Sequence, residues 1–238
     1  MSSMCFNLLN IDMSDSLKYI ERAPKTEHKA TIIWIHGLGD SGFGHEPIVD
    51  VLNLTDELGL KFILPHAPEQ PVTVNGGMVM PSWYDILEMD IDRKIDEEGI
   101  GDSARKIQDI INSEIELGIP SGNIIVAGFS QGGAVALQTA FTATKKYAGV
   151  ICMSTYLGVP SILDNIENNA NKDIEVFWGH GNADPVVSFS LAKDSVSLLE
   201  KAGIKCNFNE YGIDHSISPD ELHDIRSWII SLECFKTS

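Results

Sequence analysis

Asn123-Ile124-Ile125-Val126-Ala127 is a short, nearly continuous apolar run. It meets an Ala-rich, proline-free stretch through Gly128-Phe129-Ser130-Gln131-Gly132. The run is β-branched and reads as a buried strand. Gln131 to Ala143 carries a helix pattern. A chain passing from strand to helix over so few residues must turn sharply, with a strained serine in the turn. Residues two before and two after the serine approach each other, so glycines fit where a Cβ would clash. The turn lifts the Ser130 hydroxyl above the sheet edge, beside a helix N-terminus that favours negative charge. Glycine-rich strand–helix turns with an incidental serine exist. The strand before and the helix after are the context of a nucleophile elbow.

The same alternation extends along the chain. Ala30 to Ile35, Lys61 to Leu64, Ala148 to Met153 and Ile174 to Trp178 are further apolar runs of strand length. Lys205 to Tyr211 alternates more clearly, as an edge strand does. Ile107, Ile110, Ile111 and Ile115 recur at helical spacing from Asp102, and Gly118 and Pro120 end the pattern. Ser188 to Lys201 and Pro219 to Leu232 complete the predicted helices. Strands alternating with helices imply βαβ units and a mostly parallel central sheet flanked by helices. Residues 1–29 are the least structured part by composition. The connection from His66 to Gly101 is long, and long connections are often functional.

A serine hydroxyl needs a base to take its proton, and the base needs a carboxylate to hold its tautomer. In this arrangement the chain order is serine, acid, histidine. His215 and His223 leave room for an acid between the fifth strand and a base near the C-terminus. His215 falls in a loop after the sixth strand, where ligands bind in open α/β sheets; His223 falls inside the last helix. Asp184 directly follows the fifth strand, and Pro185 fixes its turn. Asp173 lies at the wrong end of that strand, and Asp214 reads as local capping or surface charge. The oxyanion is expected on two backbone N–H groups. One belongs to Gln131, the residue after the nucleophile, and the other to Leu38 in His36-Gly37-Leu38-Gly39-Asp40. His36 reads as a brace for that loop.

Charge and cysteines bear on what else the chain can do. Lys and Arg total 17 against 34 Asp and Glu, a formal charge of −17. That argues against a nucleic-acid partner and against simple adsorption to anionic lipid. The four cysteines, Cys5, Cys152, Cys206 and Cys234, form no C-x-x-C pair. Met1 to Asn10 lacks the basic and apolar character of a signal peptide. A cytoplasmic protein with free thiols is the simplest reading. No His/Cys/Asp cluster has metal-ligand spacing, so neither metal nor cofactor is expected.

Four segments match one pattern together: His36 to Asp40; Pro65-His66-Ala67-Pro68 with Pro71 to Gly77 and Met80 to Asp85; Gly128 to Ala134; and Gly179-His180-Gly181 through Asp184. The chain resembles the phospholipase/carboxylesterase family, which includes the acyl-protein thioesterases, over nearly all of Thr31 to Leu232. The resemblance implies an α/β-hydrolase fold over residues 30–238, a single domain with no large separate cap. Residues 1–29 would pack on it or lead into it. It also implies Ser130, Asp184 and His215 as a triad, with Leu38 and Gln131 as oxyanion donors. Val72, Met78, Met80 and Trp83 would lie along an acyl groove, and Tyr156 would line the pocket. The implied substrates are small acyl esters, thioesters and lysophospholipids, and the implied state is monomer or homodimer. The sequence departs from the family at Ser154-Thr155-Tyr156-Leu157-Gly158, where the thioesterase members resemble Ser-Cys-Trp-Leu-Pro.

The expected chemistry is ester and thioester hydrolysis through an acyl-serine, with lysophospholipid cleavage as another use of the same site. A non-catalytic binding protein on the same fold is the alternative from another class, and inactive relatives typically lose a triad member. Residues 71–80 are apolar and glycine-containing and read as lying outside any regular element. They are either a loop packed on the core or a mobile lip that covers an acyl chain or touches a lipid surface. Methionine adapts to varied partners there.

Overall fold

The computed structural model describes residues 16–88 and 94–236. Cys5 and the Met1 to Asn10 stretch lie outside the described residues. The chain opens with β1 (Tyr19–Arg22) and β2 (Ala30–Ile35), then α1 (Gly42–Leu52), α2 (Thr55–Leu58) and β3 (Leu60–Pro65). A hairpin of β4 (Glu69–Val72) and β5 (Met78–Pro81) leads to α3 (Glu97–Glu116). Then come β6 (Ile124–Phe129), α4 (Gln131–Thr142), β7 (Gly149–Met153), β8 (Glu175–Gly181), α5 (Phe189–Lys201), β9 (Lys205–Tyr211) and α6 (Pro219–Ser231).

Seven strands form one sheet in the order β1-β3-β2-β6-β7-β8-β9. All neighbours are parallel except β1, which pairs antiparallel with β3. The apolar runs are nearly continuous because both faces of the sheet are covered. Ile33, Ile35, Ile124 and Val126 face one core, filled by α3, α4 and α5. Ile32, Trp34, Ile125 and Ala127 face the other, filled by α1 and α6. β9 lies at the sheet edge, which accounts for its clearer alternation.

The structure adds α1 and α2, which the sequence reading leaves unassigned, and differs from it in three further places. Tyr19–Arg22, within the segment that composition leaves without an element, is an edge strand in register with Phe62 to Pro65. Only one side of such a strand is paired, so its apolar signal is weak. Residues 71–80 are not irregular: Val72 pairs with Met78 and Gln70 with Met80 across the β4–β5 hairpin. Pro71 and the Gly76-Gly77 turn mask the strand pattern. Finally, α3 starts at Glu97 rather than Asp102, because the Asp96 side chain accepts from the Gly99 N–H and caps it.

The connection after β2 runs to β3 on one side, and the next sheet strand, β6, lies on the other side of β2. The strand order therefore reverses between β2 and β6. The carboxyl ends of strands at such a reversal are where open α/β sheets hold ligands. Ile35 pairs with Gly128 there, which sets the β2 loop directly beside the Ser130 turn.

Candidate active site

The β6–α4 turn brings Ser130 to φ 54°, ψ −119°, a backbone conformation that side chains rarely adopt. Its glycines have different reasons. A Cβ on Gly128 would overlap the Gly132 carbonyl, and one on Gly132 would overlap the carbonyls of Ile35 and His36 at the end of β2. The second glycine is thus required by the neighbouring strand, which the pentapeptide alone does not show. The Ser130 N–H donates to the Met153 carbonyl (2.8 Å), and Thr155 Oγ1 donates to the Ser130 carbonyl (2.6 Å). The elbow is therefore held from the end of β7 on both sides of its peptide. Thr155 had no signal in the sequence pattern.

His215, in the loop after β9, lies with Nε2 2.9 Å from Ser130 Oγ and Nδ1 2.7 Å from Asp184 Oδ2. An ionised carboxylate only accepts, so Nδ1 carries the proton and Nε2 is left to accept from the serine. The other Asp184 oxygen accepts from the N–H groups of Val186 (2.8 Å) and Val187 (2.9 Å). Burial by itself would raise the Asp184 carboxyl. The His215 bond and the Val187 and Val186 amides outweigh it and hold the group below the usual carboxylate range. Buried His180 donates from Nε2 to the Val187 carbonyl (2.9 Å), and burial lowers its pKa. Phe129 packs against the His215 ring at 4.9 Å between centroids. The alternatives lie elsewhere: His223 and Asp173 are exposed, and Asp214 accepts from the neighbouring Ser216 hydroxyl (2.7 Å).

Leu38 and Gln131 flank Ser130 on the β2 loop and the first turn of α4. Among the described residues neither N–H donates to another group. Both residues line a cavity of about 450 Å³ together with Ser130 and His215. His36 braces the Leu38 loop as expected. Its Nε2 accepts from the Ala67 N–H (3.1 Å), so Nδ1 carries the proton and donates to the Gly37 carbonyl (2.7 Å). Burial lowers this imidazole to about 4, which keeps it neutral.

Of the residues assigned to an acyl groove, Tyr156 lines the cavity and its hydroxyl meets that of buried Tyr84 at 2.8 Å. Val72, Met78, Met80 and Trp83 are not among the lining residues. Val72 is the buried last residue of β4, Met78 sits 62% exposed at the hairpin turn, and Met80 packs near Gly39. Trp83 is buried behind the site, with its indole N–H on the His36 carbonyl (2.8 Å). Val74, Asn75, Ile86 and Val186 take the expected places in the cavity wall. Val74 and Asn75 lie in the turn between β4 and β5, Ile86 follows the hairpin and Val186 follows Asp184, so the wall is drawn from connections rather than from the paired strands. The Tyr156 segment departs from the Ser-Cys-Trp-Leu-Pro pattern at a point of close packing. A Cβ at Gly158 would come within 3.0 Å of Ile95 and 3.2 Å of Ile100.

The fold and the serine, histidine and aspartate gathered at its sheet edge define an α/β-hydrolase. The sequence model of the Phospholipase/Carboxylesterase family matches residues 19–232, and the chain belongs to that family. Acyl-protein thioesterase 1 of Cryptococcus neoformans var. neoformans serotype D is 39% identical over 235 residues, covering 92% of this chain and 98% of the relative. The acyl-protein thioesterase 1 of Saccharomyces cerevisiae is 38% identical over 211 residues, covering 84% and 92%. The crystal structure of Arabidopsis thaliana SOBER1 superposes with a TM-score of 0.80 at 35% identity, covering 84% of this chain and 97% of that one. Zea mays acyl-protein thioesterase 2 gives a TM-score of 0.80 at 27% identity, covering 90% and 98%.

Proposed function

We propose that this protein is a serine hydrolase that cleaves carboxylic esters and acyl thioesters through an acyl-serine intermediate, with Ser130 as nucleophile. The observation that carries the reading is the continuous hydrogen-bonded series from Asp184 to His215 to Ser130, opening on a cavity beside two uncommitted N–H groups. The relatives named acyl-protein thioesterases support the thioester as substrate class.

Ser130 Oγ attacks the acyl carbon as His215 Nε2 takes its proton. The carbonyl oxygen gains the negative charge and turns to the Leu38 and Gln131 N–H groups. The protonated His215 gives its proton to the departing alkoxide or thiolate. Asp184 stays ionised and stabilises the imidazolium. Water then attacks the acyl-serine, its proton passing to His215 and on to Ser130, and the carboxylic acid leaves.

The hairpin turn supplies a second reading. Met78 and Val79 are 62% and 60% exposed and adjoin the cavity wall through Val74 and Asn75. Two adjacent exposed apolar side chains favour brief contact with a lipid surface, which would admit lysophospholipid or a lipidated peptide. Replacing both with aspartate is expected to reduce turnover of vesicle-bound long-chain substrate and leave a soluble short-chain ester unaffected.

The deciding experiment is covalent labelling by a fluorophosphonate together with an ester and thioester chain-length series. The wild type is expected to label and Ser130→Ala to be silent in both. No labelling of the wild type would leave a binding protein on a hydrolase fold.

A further inference from the structure

We infer that the side chains of Gln131 and Trp83 are positioning groups that fix the two oxyanion donors relative to each other. This rests on the reading of Ser130 as nucleophile. The donors sit on separate loops, Leu38 after β2 and Gln131 at the start of α4. Between them stands one short segment, Pro81 to Tyr84, which begins at the last residue of β5.

That segment grips both sides. Toward the Leu38 loop, the Pro81 carbonyl accepts from the Gly39 N–H (2.8 Å), and the Trp83 indole N–H donates to the His36 carbonyl (2.8 Å). The two residues flanking Gly37-Leu38 are therefore both tied to it. Toward α4, the Trp83 backbone N–H donates to Gln131 Oε1 (2.8 Å). Gln131 Nε2 donates to the Tyr84 carbonyl (2.6 Å) and to Ser82 Oγ (3.0 Å). Gln131 is 2% exposed and Trp83 1%, so these bonds form away from water, where an unmade one is costly. Ser103 Oγ on α3 anchors the segment from behind through the Trp83 carbonyl.

Gln131 thus has two separate roles. Its backbone, on a residue that lines the cavity, carries an N–H with no partner among the described residues, and its carboxamide is locked into the segment that also locks the Leu38 loop. The spacing of the donors is set by this bridge rather than by either loop alone. Oxyanion contacts tighten in the transition state, so loosening the bridge should lower kcat and leave KM nearly unchanged.

Two variants test this without removing a backbone donor. Trp83→Phe keeps a ring and deletes one N–H; Gln131→Met keeps the side-chain length and deletes the carboxamide. We expect kcat to fall about tenfold in the first, the scale of one buried hydrogen bond. We expect about 10²-fold in the second, the scale of a misplaced reacting group. KM for a short thioester should change by less than about twofold, as for an interaction made mainly in the transition state. A trifluoromethyl ketone, whose serine adduct carries the oxyanion, should lose affinity by the same factor as kcat/KM. The fatty-acid product should bind as it does to the wild type.

Ser130→Ala run in parallel separates the two levels of inference. If Ser130→Ala still hydrolyses the thioester, the nucleophile reading itself falls. If Ser130→Ala is inactive but both variants keep wild-type kcat, or lose kcat with no loss of ketone affinity, the bridge is not a positioning device. Should Gln131→Met lack a cooperative unfolding transition, Trp83→Phe decides alone.

Discussion

Glu221 occupies the third position of α6 and is fully buried. Ser218 Oγ accepts from its N–H (3.0 Å), half of a capping box. Its carboxyl does not complete the box. It turns inward against Gly179, where a Cβ on the glycine would overlap it, and neither oxygen has a hydrogen-bond partner among the described residues. Burial drives its pKa from 4.5 to about 8, and the charge of Asp224 adds to this. The Ser218 backbone N–H pulls the other way without reaching hydrogen-bond geometry. Below the unfolded value the group is protonated in both states and contributes nothing. Between 4.5 and 8 the unfolded chain ionises and the folded chain does not, so folding loses about 1.4 kcal/mol per pH unit. The loss is about 3 kcal/mol at neutral pH and about 5 kcal/mol above the folded value, a large share of a typical domain's 5–15 kcal/mol. Glu221→Gln cannot ionise, so its stability should lack this slope. Urea unfolding followed by tryptophan fluorescence at pH 5, 6, 7 and 8 measures the difference between variant and wild type. It should grow in the variant's favour by about 4 kcal/mol from the lowest to the highest pH. A difference that stays constant within about 0.5 kcal/mol would show that Glu221 ionises normally in the folded protein.

Three other perturbations have defined outcomes. Asp184→Asn leaves the shape but no longer fixes the His215 tautomer, so thioester kcat should drop by about 10⁴-fold with the melting temperature nearly kept; a drop under about tenfold would refute the role of Asp184. Lys61→Met leaves Glu114 buried, with the Thr31 hydroxyl still donating to it but without the ammonium now 2.8 Å away; this should cost about 3–5 kcal/mol in chemical denaturation. Gly132→Ala pushes a methyl into the Ile35 and His36 carbonyls, so both expression and turnover should collapse, whereas alanine at Gly122, which meets nothing within 4 Å, should be tolerated in the same assays.

The legible parts of the site were those encoded by adjacent residues. The Ser130 turn showed in its glycines, and Asp184 and His215 showed in their places after predicted strands. Tyr156, a short way past the end of β7, lines the cavity. Val72, Met78, Met80 and Trp83 do not line the cavity, whereas the turn residues Val74 and Asn75 do, and Pro71 and the two glycines conceal this hairpin in the sequence. Glycines and Pro47 likewise hid α1 from periodicity. Gln131 and Trp83 stood in conspicuous motifs, yet the bond from the Trp83 backbone N–H to the Gln131 side chain spans 48 residues of chain, and no local pattern records such a pairing.

By itself the sequence determined the alternation of strands and helices, the strained serine turn, and the order of Ser130, Asp184 and His215 along the chain. Each of these depends on local backbone preference or on burial of a run of neighbours. The tertiary structure alone decided why Gly132 must be glycine, that Thr155 holds the Ser130 carbonyl, and which residues wall the cavity. It also tied the Leu38 loop and the start of α4 to one segment. These features arise where separate elements meet, and the energy of such contacts is set by packing and hydrogen-bond geometry that a linear pattern does not carry.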